Sequence, residues 1–233
     1  MKRAWKRART VTAPRLGPAE LRRADERLLL RLERDFAEAA RRAGERLACR
    51  PGCSECCIGP FPVTRLDAWR LRRGLAELER TDPARAAALL ERARAAVSLL
   101  AESYPGDPAI GRLEAGAAQL DRFFQRHGSL ACPVLDPGSG RCDLYAWRPV
   151  ACRIYGPPAR FGEQESPPCR LCFEGAPPEE IEACRMEPDR EGLEQRVLAG
   201  MGVTGGDDWE TLIPFPLLDS KKQVRLVFSG KLV

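Results

Sequence analysis

Four cysteines, Cys49, Cys53, Cys56 and Cys57, crowd into nine residues in the run Cys-Arg-Pro-Gly-Cys-Ser-Glu-Cys-Cys. Thiols so close in sequence constrain the backbone around them: the run must curl so that several sulfurs face a common centre, or pair as disulfides. The chain opens with a basic segment, Met1 to Thr10, that has no apolar stretch behind it. Neither a secretory signal nor a membrane anchor is expected, and the cytoplasm is the expected location. Disulfides are rare there, so the crowded thiols read as metal ligands. A chain of 233 residues buries a core without a metal's help, so the metal is expected to serve a local structural or functional purpose.

The helical pattern is the second constraint. Leu21, Leu28, Leu32, Phe36, Ala40 and Leu47 recur close to a 3.6-residue period, predicting one long amphipathic helix from 18 to 47 that delivers the chain to Cys49. Pro51 and Gly52 stop it, leaving 53–57 in a turn or loop. Thr64 with Asp67 is a capping-box pattern opening a helix to 79. Asp82-Pro83 opens another to 104, and Asp107-Pro108 a third to 128. The expected fold class is mainly α: amphipathic helices around a cysteine-rich metal-binding loop region with a short β-hairpin. That hairpin joins the Cys132 and Cys142 segments through Asp136-Pro-Gly-Ser-Gly140. Pro149 starts a short helix carrying Cys152 and Arg153, residues 157–180 read as loop, 191–201 as helix and 223–228 as a strand. The expected division is a basic disordered tail at 1–17, a helical cysteine-cluster domain at 18–188, and a helix and strand extension at 189–233.

The formal net charge is +5, from 38 Lys and Arg against 33 Asp and Glu. The basic residues are interleaved with acids on amphipathic helices, so no nucleic-acid surface is expected. The lone histidine, His127, stands before Gly128 and reads as a helix C-cap rather than a ligand.

A second constellation follows at Cys132-Pro133, Gly140-Arg141-Cys142, Tyr145, Arg148-Pro149, Cys152-Arg153 and Tyr155, with Cys169 beyond. Together with Cys49 to Cys57 these residues resemble the YkgJ-type cysteine-cluster family, described as chelating zinc or iron. The resemblance covers about residues 45 to 172. It implies the ligand set Cys49, Cys53, Cys56, Cys57, Cys132, Cys142, Cys152 and Cys169. This chain has three residues between its first two cysteines where the family has two. Cys172, in the pair Cys169-Arg-Leu-Cys172, has metal-ligand spacing of its own and could replace Cys49 or complete a site; Cys184 reads as a buried thiol.

All-thiolate zinc and a 4Fe-4S cluster both take four cysteines, and the vicinal pair suits a polynuclear centre better, so iron-sulfur is read ahead of zinc. Either leaves a negative site, and Arg148 and Arg153 are expected to face it as donors or to form structural ion pairs. Tyr145, Trp147 and Tyr155 are expected to cover it, whereas Arg50 and Arg170 are read as surface residues. Three functions are open. The first is a metal-binding protein without substrate chemistry of its own. The second is a cluster-dependent enzyme, including methyl transfer as in the flagellin lysine N-methylases, which share this cysteine pattern in a longer chain. The third is a thiol redox or metal-trafficking protein. Cys49, Cys53 and Cys56 also have the spacing of radical S-adenosylmethionine enzymes, but a loop that follows a long helix does not belong to their βα barrel.

Overall fold

The computed structural model describes residues 13–50, 52–161, 164–203 and 209–218. The expected strand at 223–228 and most of the basic tail lie outside them. Helix α1 (Pro18–Ala43) begins with proline in its first turn and with Glu20 accepting a hydrogen bond from the Gly17 N–H at 2.8 Å. A 3-10 turn, Gly44–Arg46, continues it, and a second, Glu55–Cys57, lies within the cysteine loop. Strand β1 (Pro62–Val63) leads into α2 (Arg65–Thr81), and α3 (Pro83–Ala101) follows. Then come β2 (Gly106–Asp107), β3 (Arg112–Leu113), α4 (Ala117–Arg126), and the hairpin of β4 (Leu135–Asp136) and β5 (Arg141–Cys142). The chain closes with α5 (Val150–Ile154), β6 (Ala159–Phe161), β7 (Gln164–Ser166), α6 (Pro178–Ala183), α7 (Leu193–Gly200), β8 (Thr211–Leu212) and α8 (Pro214–Leu218). The fold is mainly α, with two-stranded antiparallel sheets among the described residues.

Two expected elements differ. Asp107-Pro108 does not start a helix. The Asp107 carboxylate accepts from the Ala109 N–H at 2.9 Å, a turn that lets Gly106 and Asp107 pair with Leu113 and Arg112. Gly106 has φ 152°, and a Cβ there would lie 2.1 Å from the Arg112 carbonyl oxygen, so the pairing needs glycine. The helix waits until Ala117. Residues 157–180 are not simply loop. Ala159, Arg160 and Phe161 pair with Ser166, Glu165 and Gln164, and Pro178 with Glu179 and Glu180 forms the first turn of α6.

The chain divides into two compact units, the first made of residues 1–53 and 150–205, the second of 54–149 and 206–233. In the first, α1 packs against α5 and α7, and Leu21, Leu28, Leu32, Ala39 and Ala43 form its buried stripe. In the second, α2, α3 and α8 pack together around Leu66, Leu71, Leu89, Leu100 and Leu217. Pro62 stands opposite Leu212 and Val63 opposite Thr211, tying the start of α2 to the approach to α8. Tyr104 contacts Phe215, ring centres 4.7 Å apart, and Phe123 edge-on at 6.0 Å.

The N-terminus of α2 is capped as its sequence requires. Thr64 accepts from the Asp67 N–H at 3.1 Å, and Asp67 accepts from the Thr64 N–H at 3.2 Å. Both residues are buried, and Asp67 also pairs with buried Arg70 at 2.6 Å. Thr64→Ala removes one arm of this box, so urea unfolding is expected to show a loss of about 1 to 2 kcal/mol.

Candidate metal centre

In the first unit the cysteine loop leaves the end of α1 through Leu47 and Ala48. Cys53 is half-buried, and its N–H bonds the Arg50 carbonyl at 3.0 Å. The Cys49 sulfur lies 3.7 Å from the carbonyl oxygen of Tyr155. The chain returns to this place after α5: the Cys169 N–H donates to the Gly156 carbonyl at 2.9 Å, and Cys172 N–H to that of Cys169 at 2.8 Å. Phe173 then donates to the Arg46 carbonyl at 2.7 Å, fastening the loop beside the end of α1. The Cys49 thiol neighbours that of Cys172, which in turn neighbours Cys169 and accepts from the Ala48 N–H. Cys49 is exposed as a residue, and the partial burial of its sulfur, then the neighbouring Cys172, pushes the thiol up to about 12, with Cys169 and Cys53 adding smaller repulsions. Burial likewise raises Cys172.

Cys152 is half-buried on α5. Beside it Arg153, 6% exposed, donates to the Glu33 carboxylate of α1 at 2.9 Å. Arg50 and Arg170 are exposed. Cys184 ends α6, buried in an apolar cluster with Ala43, Cys169, Cys172 and Phe173.

In the second unit the segments 57–59 and 130–132 run antiparallel. Cys132 N–H donates to the Cys57 carbonyl at 2.7 Å, Gly59 N–H to that of Leu130 at 2.8 Å, and Ile58 stands opposite Ala131. The β4–β5 hairpin places Leu135 opposite Cys142 and returns Cys142 toward Cys132. Burial raises the Cys142 thiol to about 12, and nearby Cys132 pushes the same way. The Leu144 N–H, donating to the Cys142 sulfur, and the Arg148 charge pull it back. Arg148 stacks on Tyr145, its guanidinium carbon 3.9 Å from the ring centre. Cys56 is half-buried in the 3-10 turn before Cys57.

Tyr145 is 64% exposed, so it is no cover for a buried centre; its turn points it outward, leaving one face to Arg148. Trp147 instead lies on α2, where Gly74 makes room for it and Arg73 stacks 4.7 Å from its ring centre. Asp143, next to Cys142, was not legible as a site residue. Its side chain is 0% exposed and binds both Arg85 and Arg92 of α3, while Arg92 also donates to the Pro133 carbonyl at 2.9 Å. This ion triad anchors both cysteine-bearing arms of the hairpin to α3.

His127 caps α4, its N–H bonding the Phe123 carbonyl at 3.1 Å and its Nε2 lying 2.9 Å from the Ser103 hydroxyl. It is 7% exposed, and burial, with help from Arg126, lowers its pKa. The fold therefore favours the neutral ring. Its contribution is whole above the unfolded value of about 6.5 and is lost as the pH falls below it. Urea midpoints measured through that range are expected to fall with pH, and to fall less steeply in His127→Gln.

Among the described residues, no group of three or more His, Cys, Asp or Glu side chains is gathered so as to hold a metal ion. The thiols meet instead as neighbours, Cys49 with Cys172, Cys172 with Cys169, and Cys142 near Cys132. In kind the donors suit zinc or iron: sulfur throughout, with main-chain N–H groups directed at two of the sulfurs.

The model of the CxxCxxCC family, described as a zinc- or iron-chelating domain, matches residues 48–170, more than half of the chain. The chain belongs to this family. The CxxCxxCC match opens one residue before Cys49 and closes one after Cys169, so it takes in all eight cysteines of the implied ligand set and stops short of Cys172 and Cys184. Comparison with curated proteins and with solved structures returns no match. No described helix is long and apolar enough to cross a membrane.

Proposed function

We propose that this protein binds iron, as an iron-sulfur cluster, or zinc through cysteine thiolates, and that its task rests on the bound metal. Family membership supports chelation. The observation that carries the reading is the pairing of sequence-distant cysteines within each unit. Cys49 lies near Cys169 and Cys172 across more than a hundred residues, Cys57 is bonded through the main chain to Cys132, and Cys132 lies near Cys142. The matched span also places Cys56 in the second unit and Cys152 in the first as candidate donors. Binding asks these side chains to turn about χ1 and give up their protons. Such a metal supplies either a rigid four-way crosslink or a one-electron store. Burial raises Cys49, Cys142, Cys172 and Cys184, the opposite of the activated thiolate that a thiol-exchange protein needs.

The test is anaerobic purification of the full chain with iron, zinc and acid-labile sulfide analysis and a visible spectrum. A brown protein with sulfide matching its iron supports the cluster, and a colourless protein with whole-number zinc supports zinc. A chain that takes up neither metal after reduction and reconstitution overturns the proposal.

A further inference from the structure

We propose that Cys172, outside the family-matched span, is a metal ligand, and that with Cys49, Cys53 and Cys169 it completes a four-thiolate site contained in the first unit. The inference rests on the metal-binding reading and adds to it a ligand that the family pattern does not contain.

Three features of the loop carry it. Cys169 and Cys172 enclose two residues, the spacing at which one tight turn presents two sulfurs to one ion, and the turn is closed by the bond from the Cys172 N–H to the Cys169 carbonyl at 2.8 Å. Phe173, buried at 4%, takes φ 60°, a left-handed backbone that a bulky residue adopts at a cost. That backbone directs its N–H to Arg46, 2.7 Å away, and so holds Cys172 beside Ala48 and Cys49. Finally, Cys172 is buried in one cluster with Cys169, and Leu47 and Ala48, which lead into Cys49, pack against that cluster, with the Ala48 N–H directed at the Cys172 sulfur. A main-chain N–H directed at sulfur is the support that a thiolate ligand uses. Cys184 shares the same apolar cluster without this loop geometry, which makes it the internal control.

The experiment titrates the reduced, metal-free full chain with cobalt(II), follows thiolate-to-cobalt charge-transfer absorption, and then displaces cobalt with zinc. In Cys172→Ser one equivalent is expected to weaken by about 100-fold or more and its charge-transfer intensity to fall by about a quarter, one sulfur of four. Cys184→Ser is expected to match the wild type. Cys172→His, which offers a nitrogen ligand, is expected to recover tight binding with a shifted spectrum, and this separates ligation from packing. Circular dichroism of each variant reports its fold; if Cys172→Ser unfolds, the histidine variant decides. Unchanged stoichiometry and intensity in Cys172→Ser overturn the proposal while metal binding stands, as does loss confined to Cys152→Ser. A wild-type chain that binds neither ion overturns both.

Discussion

Replacing Gly156 with alanine is expected to destabilise the first unit by about 2 to 4 kcal/mol and to displace the cysteine loop, because two independent costs meet at one atom. The backbone there has φ 139°, outside the range of L residues, and a Cβ would lie 2.7 Å from the Cys49 sulfur and 3.2 Å from the Leu47 side chain. Relieving these contacts moves side chains that are already engaged: the Cys49 sulfur sits against the Tyr155 carbonyl and Leu47 packs on the cluster around Cys169. Gly175→Ala supplies the comparison. It too has a positive φ, 67°, but no atom lies within 4 Å of the added carbon, so only the backbone cost of about 1 to 2 kcal/mol applies. Urea unfolding of both variants, with metal content measured alongside, isolates the contact with Cys49. Equal losses in the two would mean that Cys49 is not held where the structure places it.

The second large effect is expected at Asp143. Its fully buried carboxylate neutralises Arg85 and Arg92, whose side chains are 42% and 25% exposed. Asp143→Ala leaves both guanidiniums without that partner, but each can turn toward water. The loss is therefore set at about 2 to 3 kcal/mol, below the range for a fully enclosed pair. Arg85→Ala leaves Asp143 bound to Arg92 and removes a half-exposed charge, for which less than about 1 kcal/mol is expected. Because Arg92 also holds the Pro133 carbonyl, Asp143→Ala is further expected to speed reaction of Cys132 and Cys142 with a thiol reagent, read by mass spectrometry after partial labelling. An Asp143→Ala loss no larger than that of Arg85→Ala would remove the triad from the account of how the hairpin is held.

These residues show where sequence reading succeeds and where it stops. Thr64 and Asp67 announced the start of α2 because a capping box is complete within four residues. Pro149 announced α5 in the same way. Asp82 and Asp107 look alike in sequence, each followed by proline, yet Asp82 accepts from Arg85 three residues on and caps α3, whereas Asp107 accepts from Ala109 two residues on and closes a turn. What separates them is tertiary: the buried Tyr104 hydroxyl donates to the Gly111 carbonyl at 2.5 Å and holds the hairpin that Asp107 serves. At the site, the spacings single out the cysteines as candidate ligands, but spacing carries no information about which distant thiols meet. The contact between Cys172 and Cys49, the ion pair of Arg153 with Glu33, and the burial of Asp143 all depend on that information. In a chain with 38 lysines and arginines, nothing local marks Arg85 and Arg92 as the two that matter.

The first unit is discontinuous, residues 54–149 intervening between its two pieces. That has a consequence for biosynthesis. Cys49 leaves the ribosome 120 residues ahead of Cys169, a delay of roughly 6 to 24 s at ordinary elongation rates. A helix such as α1 forms within about a microsecond, so the nascent chain waits with its first thiols made and their partners not yet polymerised. Cellular reductants must guard those sulfurs through the interval, and on the metal-binding proposal any ion captured early meets an unfinished set of ligands.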